Sequence, residues 1–316
     1  FVMPAHDVAA FVATTVASAL AQTWPAVELV AIDDGSTDGT DAILERLARD
    51  WTGPGRVMTI HRQAQAGAAA ARNAGLALAR GRFVCFLDAD DRLAPTLLAR
   101  LVAALRADPD FVLAAPLWRY IDVDGTPTGI VSTPNGLRHD ARDLVVRGPL
   151  HSATGVMVHA EAASAAGPFD IALSGYIDLD WFARLLAVTE GRAVIVPEPL
   201  ADYRKRPGQI TSSWRRMEGN WSRLLDKMTA DGRGLSPSET RRARARNLMF
   251  WATLAFQEED YPAVRRLVLE SWSLDGRAAL RDRNARMRTM AAVATLLPRP
   301  VQDLLRRRVT AISNRV

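Results

Sequence analysis

The sequence contains one cysteine, two lysines and no long hydrophobic run. Cys85 cannot form an intrachain disulfide, and a metal cage of several cysteines is excluded, which is typical of a protein from a reducing cytosol. The longest late apolar stretch, Met290 to Leu297, is far shorter than the roughly 20 residues a membrane span needs. No signal sequence opens the chain, but Phe1-Val2-Met3-Pro4 is typical of a strand already under way, so this absence excludes little.

The composition is that of a folded globular protein. The chain has 316 residues, of which 48% are hydrophobic and 24% charged, and these values exclude disordered and low-complexity classes. The net charge is +5, nearly all of the cationic residues are arginines, and these are dense after Tyr203. This asymmetry indicates a polyanionic or membrane-surface contact for the tail.

Strand and helix patterns alternate along the first hundred residues. Apolar runs at 27–32, 57–60 and 83–87 predict strands, and helical spacing is found at 8–20, 43–47 and 67–80, with Asp7 as a candidate first helix cap. Such alternation predicts an α/β fold, a mostly parallel sheet flanked by helices, with ligands beyond the carboxyl ends of the strands. Asp33-Asp34 and Asp88-Ala89-Asp90-Asp91 follow two of these strands, and we expect them to face one crevice.

Asp88 and Asp90 have the oxygen chemistry and spacing of a site for Mg²⁺ or Mn²⁺. Adjacent carboxylates raise each other's pKa unless a cation lies between them. A hydrogen-bonding Asp-rich turn remains the alternative. A phosphatase-type Asp-x-Asp-x-Thr loop is excluded by Arg92, and an EF-hand is excluded because its further acids and glycine are absent.

Several ordered motifs make the sequence similar to a known family. They are Val2-Met3-Pro4-Ala5-His6-Asp7, Asp33-Asp34-Gly35-Ser36-Thr37-Asp38, Gly67 with Ala71-Arg72-Asn73-Ala74-Gly75, Leu87-Asp88-Ala89-Asp90-Asp91, Gly167-Pro168-Phe169-Asp170, Asp178-Leu179-Asp180 and Tyr203-Arg204. In this order they resemble the family-2 glycosyltransferases, which are inverting, nucleotide-sugar-dependent enzymes of the GT-A fold. The resemblance covers about the first 210 residues.

The resemblance implies a GT-A catalytic domain over 1–213, with a nucleotide-sugar half at about 1–110 and an acceptor half at about 111–213. A helical basic extension would follow at 214–316. The implied nucleotide-sugar-binding residues are Pro4, Ala5, Asp7, Asp33, Asp34, Arg72, Asp88, Ala89 and Arg206. Asp90, with Asp88, would hold the Mn²⁺ or Mg²⁺ that bridges the two phosphates. Taken without the resemblance, Arg72 is equally well a surface arginine on an Ala-rich helix.

Asp178 is the candidate general base. An acceptor hydroxyl needs a base as it attacks the anomeric carbon, and one carboxylate suffices when the configuration inverts. A helix N-terminus stabilises that carboxylate as an anion, although Asp178 as a simple N-cap is the alternative. The sequence departs from the family pattern at two positions. Ile177 replaces a Glu that precedes the base. Arg206 replaces a His that helps hold the metal or diphosphate, and an arginine there can pair with a phosphate directly.

The sequence therefore predicts a metal-dependent inverting glycosyltransferase that uses a UDP- or dTDP-sugar. Its acceptor would be a glycan or lipid-linked hydroxyl in cell-surface polysaccharide or glycolipid synthesis. A nucleotide-sugar-binding protein without transferase activity is the alternative, favoured by Ile177 and Arg206. A nucleotidyltransferase is disfavoured, because Pro4-Ala5-His6-Asp7 stands where its Gly-rich basic loop belongs.

The tail from Arg281 alternates arginine with apolar residues. This pattern fits a segment lying on an anionic membrane surface, and it fits equally an amphipathic helix packed on the catalytic domain. No motif supports a nucleic-acid partner. We expect a cytoplasmic protein, peripheral on the inner face of the plasma membrane if the tail binds lipid.

Overall fold

The computed structural model describes residues 1–276 except 52, 135, 207, 210 and 212, and this part of the chain forms two compact units. The first unit contains Phe1–Ala172 and Ile177–Lys205. The second contains Leu173–Tyr176 and the described residues from Arg206 onward. The predicted membrane-binding segment after Arg281 lies outside the described residues.

Over its first hundred residues the first unit alternates strands and helices, as the sequence predicts. Its strands are β1 (Val2–Ala5), β2 (Val27–Asp34), β3 (Arg56–Gln63), β4 (Phe83–Cys85), β5 (Arg92–Leu93), β6 (Phe111–Ile121), β7 (Pro127–Val131), β8 (Arg138–His139), β9 (Met157–His159) and β10 (Arg192–Arg204). Its helices are α1 (Val12–Leu20), α2 (Thr40–Asp50), α3 (Ala68–Leu78), α4 (Leu97–Arg106), α5 (Ala141–Arg147), α6 (Ala160–Ala166) and α7 (Ile177–Thr189).

The strands bring their carboxyl ends to one edge. β1, β2 and β3 are parallel with β2 in the centre, and a parallel bridge joins Val2 to Phe86 just beyond β4. The second sheet has the order β4-β9-β6-β10-β5. Because β9 is antiparallel to both β4 and β6, and β10 is parallel to β6, strands β4, β6 and β10 point the same way. The fold is therefore α/β with a mostly parallel sheet, as predicted, and β9 is an antiparallel insertion.

Close packing of α3 on β1 and β2 fixes the part of the sheet that contains β1, β2 and β3. Val30 and Ile32 of β2 are fully buried against Ala71 of α3. Gly75 has no side chain at the α3–β1 contact, where an added Cβ would lie 2.4 Å from Val2 Cγ1. The small residues on α3, which look like an Ala-rich surface helix in the sequence, thus permit close approach of helix and strand.

An aromatic cluster packs α7 on the chain beyond β4. The Phe86 ring makes edge contacts with Phe169, Trp181 and Phe182 at centroid distances of 5.6, 5.4 and 5.7 Å. Phe169 stacks on Trp181 at 4.5 Å. Since Phe86 is two residues from Asp88 and Trp181 is three from Asp178, this cluster sets the spacing of two predicted site residues.

The second unit is built from α8 (Trp214–Ala230), α9 (Pro237–Gln257) and α10 (Tyr261–Leu274). Ser236 and Glu239 form a capping box at the start of α9. The Tyr176 hydroxyl donates to Asn247 Oδ1 and accepts from Trp251 Nε1, both at 3.0 Å. Across the described residues, none of the helices is long and apolar enough to span a bilayer.

Candidate active site

The first two predicted motifs lie side by side at the carboxyl edge of β1 and β2. Pro4 pairs with Ile32 and Ala5 with Asp33, so the ends of the two strands are in register. Asp7 follows in a left-handed conformation with φ of 48° rather than capping a helix, and α1 begins only at Val12. Its Oδ1 accepts the Thr37 N–H at 2.8 Å, which ties the loop after β1 to the loop after β2.

The Asp34 carboxylate organises the neighbouring loop. It accepts from Gln63 Nε2 at 2.7 Å and from the N–H groups of Ala66 and Gly67 at 2.8 Å each. Gly35, with φ of 71°, allows the loop to close, because an added Cβ would lie 2.8 Å from Gln65 N. The Asp34 carboxylate thus orders the loop that follows β3 through three hydrogen bonds within the protein.

Asp33 is the more available acid of this pair. One of its oxygens, Oδ1, accepts the Ser36 N–H at 3.1 Å. The side chain that sequence reasoning missed here is His6, whose Nδ1 lies 2.9 Å from Asp34 O and whose Nε2 lies 2.9 Å from Gln65 Nε2. The position of His6 inside the first motif is the feature of the sequence that could have identified it.

The acidic turn follows β4 and contains Asp88, Ala89, Asp90 and Asp91. Thr15 Oγ1 donates to Ala89 O at 3.0 Å and to Asp91 O at 2.7 Å, which anchors the turn to α1. Asp88 is accessible, with 28% of its side chain exposed, whereas Asp90 is 7% exposed. Both predicted metal ligands therefore lie at the same edge as the strand ends.

Arg72 joins this turn to α3. Its Nη2 donates to Asp88 Oδ1 at 2.7 Å, and its guanidinium carbon lies 5.8 Å from the centre of the Phe169 ring. Arg72 is 7% exposed, and its Nε has no hydrogen-bond partner. A buried, incompletely paired guanidinium is poorly explained as a surface residue and is suited to an anionic ligand.

Asp91 is the buried support of the acidic turn. Its side chain is fully buried and accepts from Thr154 Oγ1 at 2.5 Å and from the Arg204 N–H at 2.8 Å. Burial, followed by the charges of Asp90 and Asp88, raises the pKa of Asp91 well above its usual value. The sequence motif contains this third acid but gives no sign that its role differs from that of the other two.

Thr154 links the two ends of the turn. Its hydroxyl accepts the Asp88 N–H at 3.0 Å while donating to Asp91. Replacing Thr154 with valine should lower the free energy of unfolding by about 1–3 kcal/mol, because it leaves two buried polar groups without this partner. Urea titration would measure this loss of unfolding free energy. Thr253→Val is the control, since the Thr253 hydroxyl donates only to Met249 O, one helical turn earlier. Equal stability losses in the two variants would contradict this role.

Asp178 is the second residue of α7, within the first turn of the helix rather than at its cap. Its Oδ1 accepts the Leu179 N–H at 2.9 Å. Burial raises the pKa of Asp178, the Arg72 charge opposes that rise, and the Asp88 charge adds to it. The charges of Arg72 and Asp88, which come from two other segments of the chain, thus act on the pKa of Asp178 in opposite directions.

The donor set of the acidic turn suits a divalent cation. Among the described residues, no three His, Cys, Asp or Glu side chains converge to form a complete metal cage. Mg²⁺ and Mn²⁺ are commonly held by one or two carboxylates together with substrate phosphates and water, and Asp88 and Asp90 supply that number. The raised pKa of Asp91, caused partly by its two charged neighbours, indicates a concentration of negative charge that a cation would relieve.

The two predicted departures from the family motifs have different settings. Ile177 is 7% exposed and opens α7. Arg206 belongs to the second unit, where its N–H donates to Gln209 Oε1 at 3.3 Å. Its contact with a diphosphate therefore stays a prediction.

The parallel sheet, the edge motifs and the acidic turn define a protein of the GT-A class. Two solved structures illustrate the fold. TarS 1–349 of Staphylococcus aureus, determined in complex with UDP-GlcNAc, is 15% identical with a TM-score of 0.58, and the match covers 96% of this chain and 90% of that chain. The mannosyltransferase PcManGT of Pyrobaculum calidifontis, in complex with GDP-Man and Mn²⁺, is 20% identical with a TM-score of 0.59, covering 99% and 84%.

The sequence model of Glycosyl transferase family 2 matches residues 1–158, half of the chain, and the chain belongs to this family. The uncharacterized glycosyltransferase YibD of Escherichia coli K12 is 34% identical over 148 residues, covering 43% of this chain and 42% of that protein. The E. coli UDP-Glc:alpha-D-GlcNAc-diphosphoundecaprenol beta-1,3-glucosyltransferase WfaP is 33% identical over 127 residues, covering 40% and 48%. The chain thus spans less than half the length of these two relatives.

Proposed function

We propose that this chain is a metal-dependent inverting glycosyltransferase that moves a sugar from a nucleoside-diphosphate donor to a hydroxyl acceptor. The observation that supports this most is the bond from Arg72 of α3 to Asp88 of the acidic turn, together with the effect of both charges on the pKa of Asp178 in α7. A partly buried carboxylate, a buried arginine suited to a phosphate and an acidic turn are the parts of a base-assisted displacement. The family membership supports the same reaction class.

The donor nucleotide would lie along the ends of β1 and β2. Asp33 can accept from a ring N–H or a ribose hydroxyl, and the main chain of Pro4 and Ala5 borders the same space. Arg72, whose buried Nε has no hydrogen-bond partner, carries the positive charge that would attract a phosphate group. Asp7 shapes this wall through its bond to Thr37.

Asp88 and Asp90 would hold the cation at the diphosphate, with Ala89 setting the spacing between them. A bound Mn²⁺ or Mg²⁺ acts as a Lewis acid that stabilises the negative charge on the departing diphosphate. Two structural neighbours, PcManGT and GalNAc-T7, were determined with Mn²⁺. For this chain, Arg72 holds Asp88 in place, and Asp91 with Thr154 holds the turn.

Asp178 would deprotonate the acceptor hydroxyl as its oxygen attacks the anomeric carbon from the face opposite the diphosphate. A single displacement of this kind inverts the configuration. The raised pKa of Asp178 makes it a stronger base than an exposed aspartate once it is ionised. Arg72 has a second role here, because its charge opposes the rise in the pKa of Asp178 that burial causes.

Arg72→Gln should move the acid limb of the pH–rate profile to higher pH. The reaction needs Asp178 deprotonated, so the rate falls as pH is lowered through its pKa. The Arg72 charge lowers that pKa, and its removal therefore lets it rise. Arg80→Gln is the matched control, since Arg80 is 72% exposed and pairs with Glu28. An unshifted limb in Arg72→Gln would contradict the proposed coupling.

The substrate class is tested by a donor panel. Purified protein would be incubated with UDP-, dTDP- and GDP-sugars, with Mn²⁺ or Mg²⁺ and with or without EDTA, while release of the nucleoside diphosphate is followed. We expect turnover with at least one donor and its loss with chelator. Binding of a nucleotide without hydrolysis or transfer on any acceptor would instead support a binding protein.

The acceptor is proposed to be a glycan or a lipid-linked sugar of the cell envelope. WfaP is named for transfer to a diphosphoundecaprenol-linked sugar, and the Bacillus subtilis relative TuaG is named as a putative teichuronic acid biosynthesis glycosyltransferase. A site on the cytoplasmic face of the membrane would bring such acceptors within reach. The arginine-rich tail, if it binds anionic lipid, would support that location.

A further inference from the structure

A second group of aromatic residues lies, apart from Tyr203, outside the sequence motifs that define the site. The acceptor-side cluster consists of Trp118, Tyr120, His151 and Tyr203. Trp118 stacks on His151 with 5.8 Å between ring centroids, and Tyr120 meets Tyr203 edge to face at 5.7 Å. The Tyr120 hydroxyl is 2.7 Å from His151 Nδ1. Trp118 is fully buried, the two tyrosines are half-buried and His151 is exposed, so the cluster has an anchored base and an open face.

The cluster lies at the ligand-binding edge of the sheet. Tyr120 and Tyr203 are register partners near the carboxyl ends of the parallel strands β6 and β10. The acidic turn follows β4, which points the same way. In open α/β sheets ligands bind beyond this edge. Position, therefore, makes these rings candidates for substrate contact.

Hydrogen bonds through Thr154 connect the cluster to the acidic turn. Trp118 Nε1 donates to Thr154 O at 2.7 Å, and Thr154 is the residue that bridges Asp88 and Asp91. His151 precedes Thr154 by three residues in the same loop. One residue thus links the rings to the proposed diphosphate site.

The order of strands distinguishes the two ends of this edge. The proposed nucleotide residues end β1 and β2, the acidic turn follows β4, and the cluster ends β6 and β10 beyond it. A donor that extends from β2 to the acidic turn places its leaving group at β4. The space beyond β4, on the side away from the nucleotide, is where an attacking hydroxyl must arrive.

The chemistry of the cluster suits a sugar ring. Tyrosine and histidine present an apolar face, on which the C–H groups of a pyranose can pack, and a polar tip that can bond its hydroxyls. The Lys205 ammonium, 5.0 Å from the centre of the Tyr120 ring, adds a cation beside the rings. We propose that His151, Tyr120 and Tyr203 form the subsite for the terminal sugar ring of the acceptor. This rests on the proposed transferase function.

Histidine NMR tests the subsite without requiring turnover. Imidazole ¹H–¹³C spectra of the full chain, with UDP and Mg²⁺ present, would be titrated with methyl glycosides of glucose, galactose, mannose and N-acetylglucosamine. We expect a saturable shift of the His151 signal with at least one glycoside. The His159 signal is the internal control, since this histidine packs on Phe83 at the start of β4, the opposite edge. No His151 shift with any of the four glycosides would overturn the proposal.

A kinetic comparison separates this subsite from the donor site. With an acceptor that the wild type uses, His151→Ala should raise the acceptor KM about ten-fold more than the donor KM. His159→Ala should leave both constants at wild-type values. A His151→Ala variant that raises mainly the donor KM, or neither, would overturn the subsite while leaving the transferase function standing. A wild type that neither transfers nor hydrolyses any donor would refute the proposed function, and the NMR titration would still decide whether the cluster binds sugar.

Discussion

Replacing Asp178 with asparagine is expected to reduce sugar transfer by about 10²–10⁴-fold, the contribution of a well-placed general base. Asparagine has nearly the same volume, and its Oδ1 can still accept the Leu179 N–H that Asp178 now holds. It has no basic oxygen with which to take the acceptor proton. The variant should therefore fold and bind the nucleotide sugar while losing the chemical step.

Asp180→Asn separates base catalysis from a general effect of acids in the first turn of α7. Asp180 is fully buried, and one of its oxygens lies 3.6 Å from Arg184 Nη2. We expect its substitution to lower Tm but to leave kcat of the folded enzyme near the wild-type value. Single-turnover rates and thermal melts measure the two effects. An Asp178→Asn enzyme with more than a tenth of wild-type kcat would remove Asp178 from the role of base.

The sequence predicted most of the first half of the fold because largely apolar runs mark the strands β2, β3 and β4. Val27–Asp34 is buried along nearly its whole length, and helical spacing on either side is unambiguous. The antiparallel strand Met157–His159 was missed, since three residues give no usable periodicity. The apolar run Val194–Val196 likewise marks only a part of β10, because Pro197 and Pro199 interrupt the apolar pattern where the ladder has register shifts.

In the candidate site, the sequence indicated the residues that stand in motifs but not those that act through partners distant in the chain. Motif order indicated Asp88, Arg72 and Asp178; in the structure Arg72 bonds to Asp88, and the charges of both act on the pKa of Asp178. Thr154 could not be found from the sequence, because its hydroxyl acts 63 residues away from Asp91 and stands in no motif. Long-range partners of buried acids leave no local signal, which also explains why Trp118 was not identified.

Asp34 illustrates a second limit of motif reading. Its place beside Asp33 indicates substrate contact, yet three donors from residues 63–67 already occupy its carboxylate. A loop-ordering role and a ligand-binding role have the same residue and the same position in the sequence. The hydrogen-bond partners show the loop-ordering role, and a contact of Asp34 with the nucleotide stays a prediction.

Replacing Asp90 with asparagine should reduce metal-supported transfer by about 10³-fold, which corresponds to about 4 kcal/mol of lost transition-state stabilisation. The amide keeps the size of the side chain but removes the negative charge that favours a divalent cation. The remaining activity of the variant should respond weakly to Mn²⁺ and to EDTA. The Mn²⁺ concentration that gives half-maximal activity should be higher than in the wild type. Manganese binding can be measured directly by electron paramagnetic resonance in the presence of UDP.

Asp50→Asn is the matched control for this experiment, because Asp50 is an exposed acid at the end of α2. It changes the net charge by the same amount without altering the acidic turn, so its metal dependence should equal that of the wild type. If Asp90→Asn retains both full transfer and unchanged manganese affinity, the acidic turn does not hold the cation. Arg72 would then have to neutralise the departing diphosphate, and Arg72→Gln would have to show the large loss predicted here for Asp90.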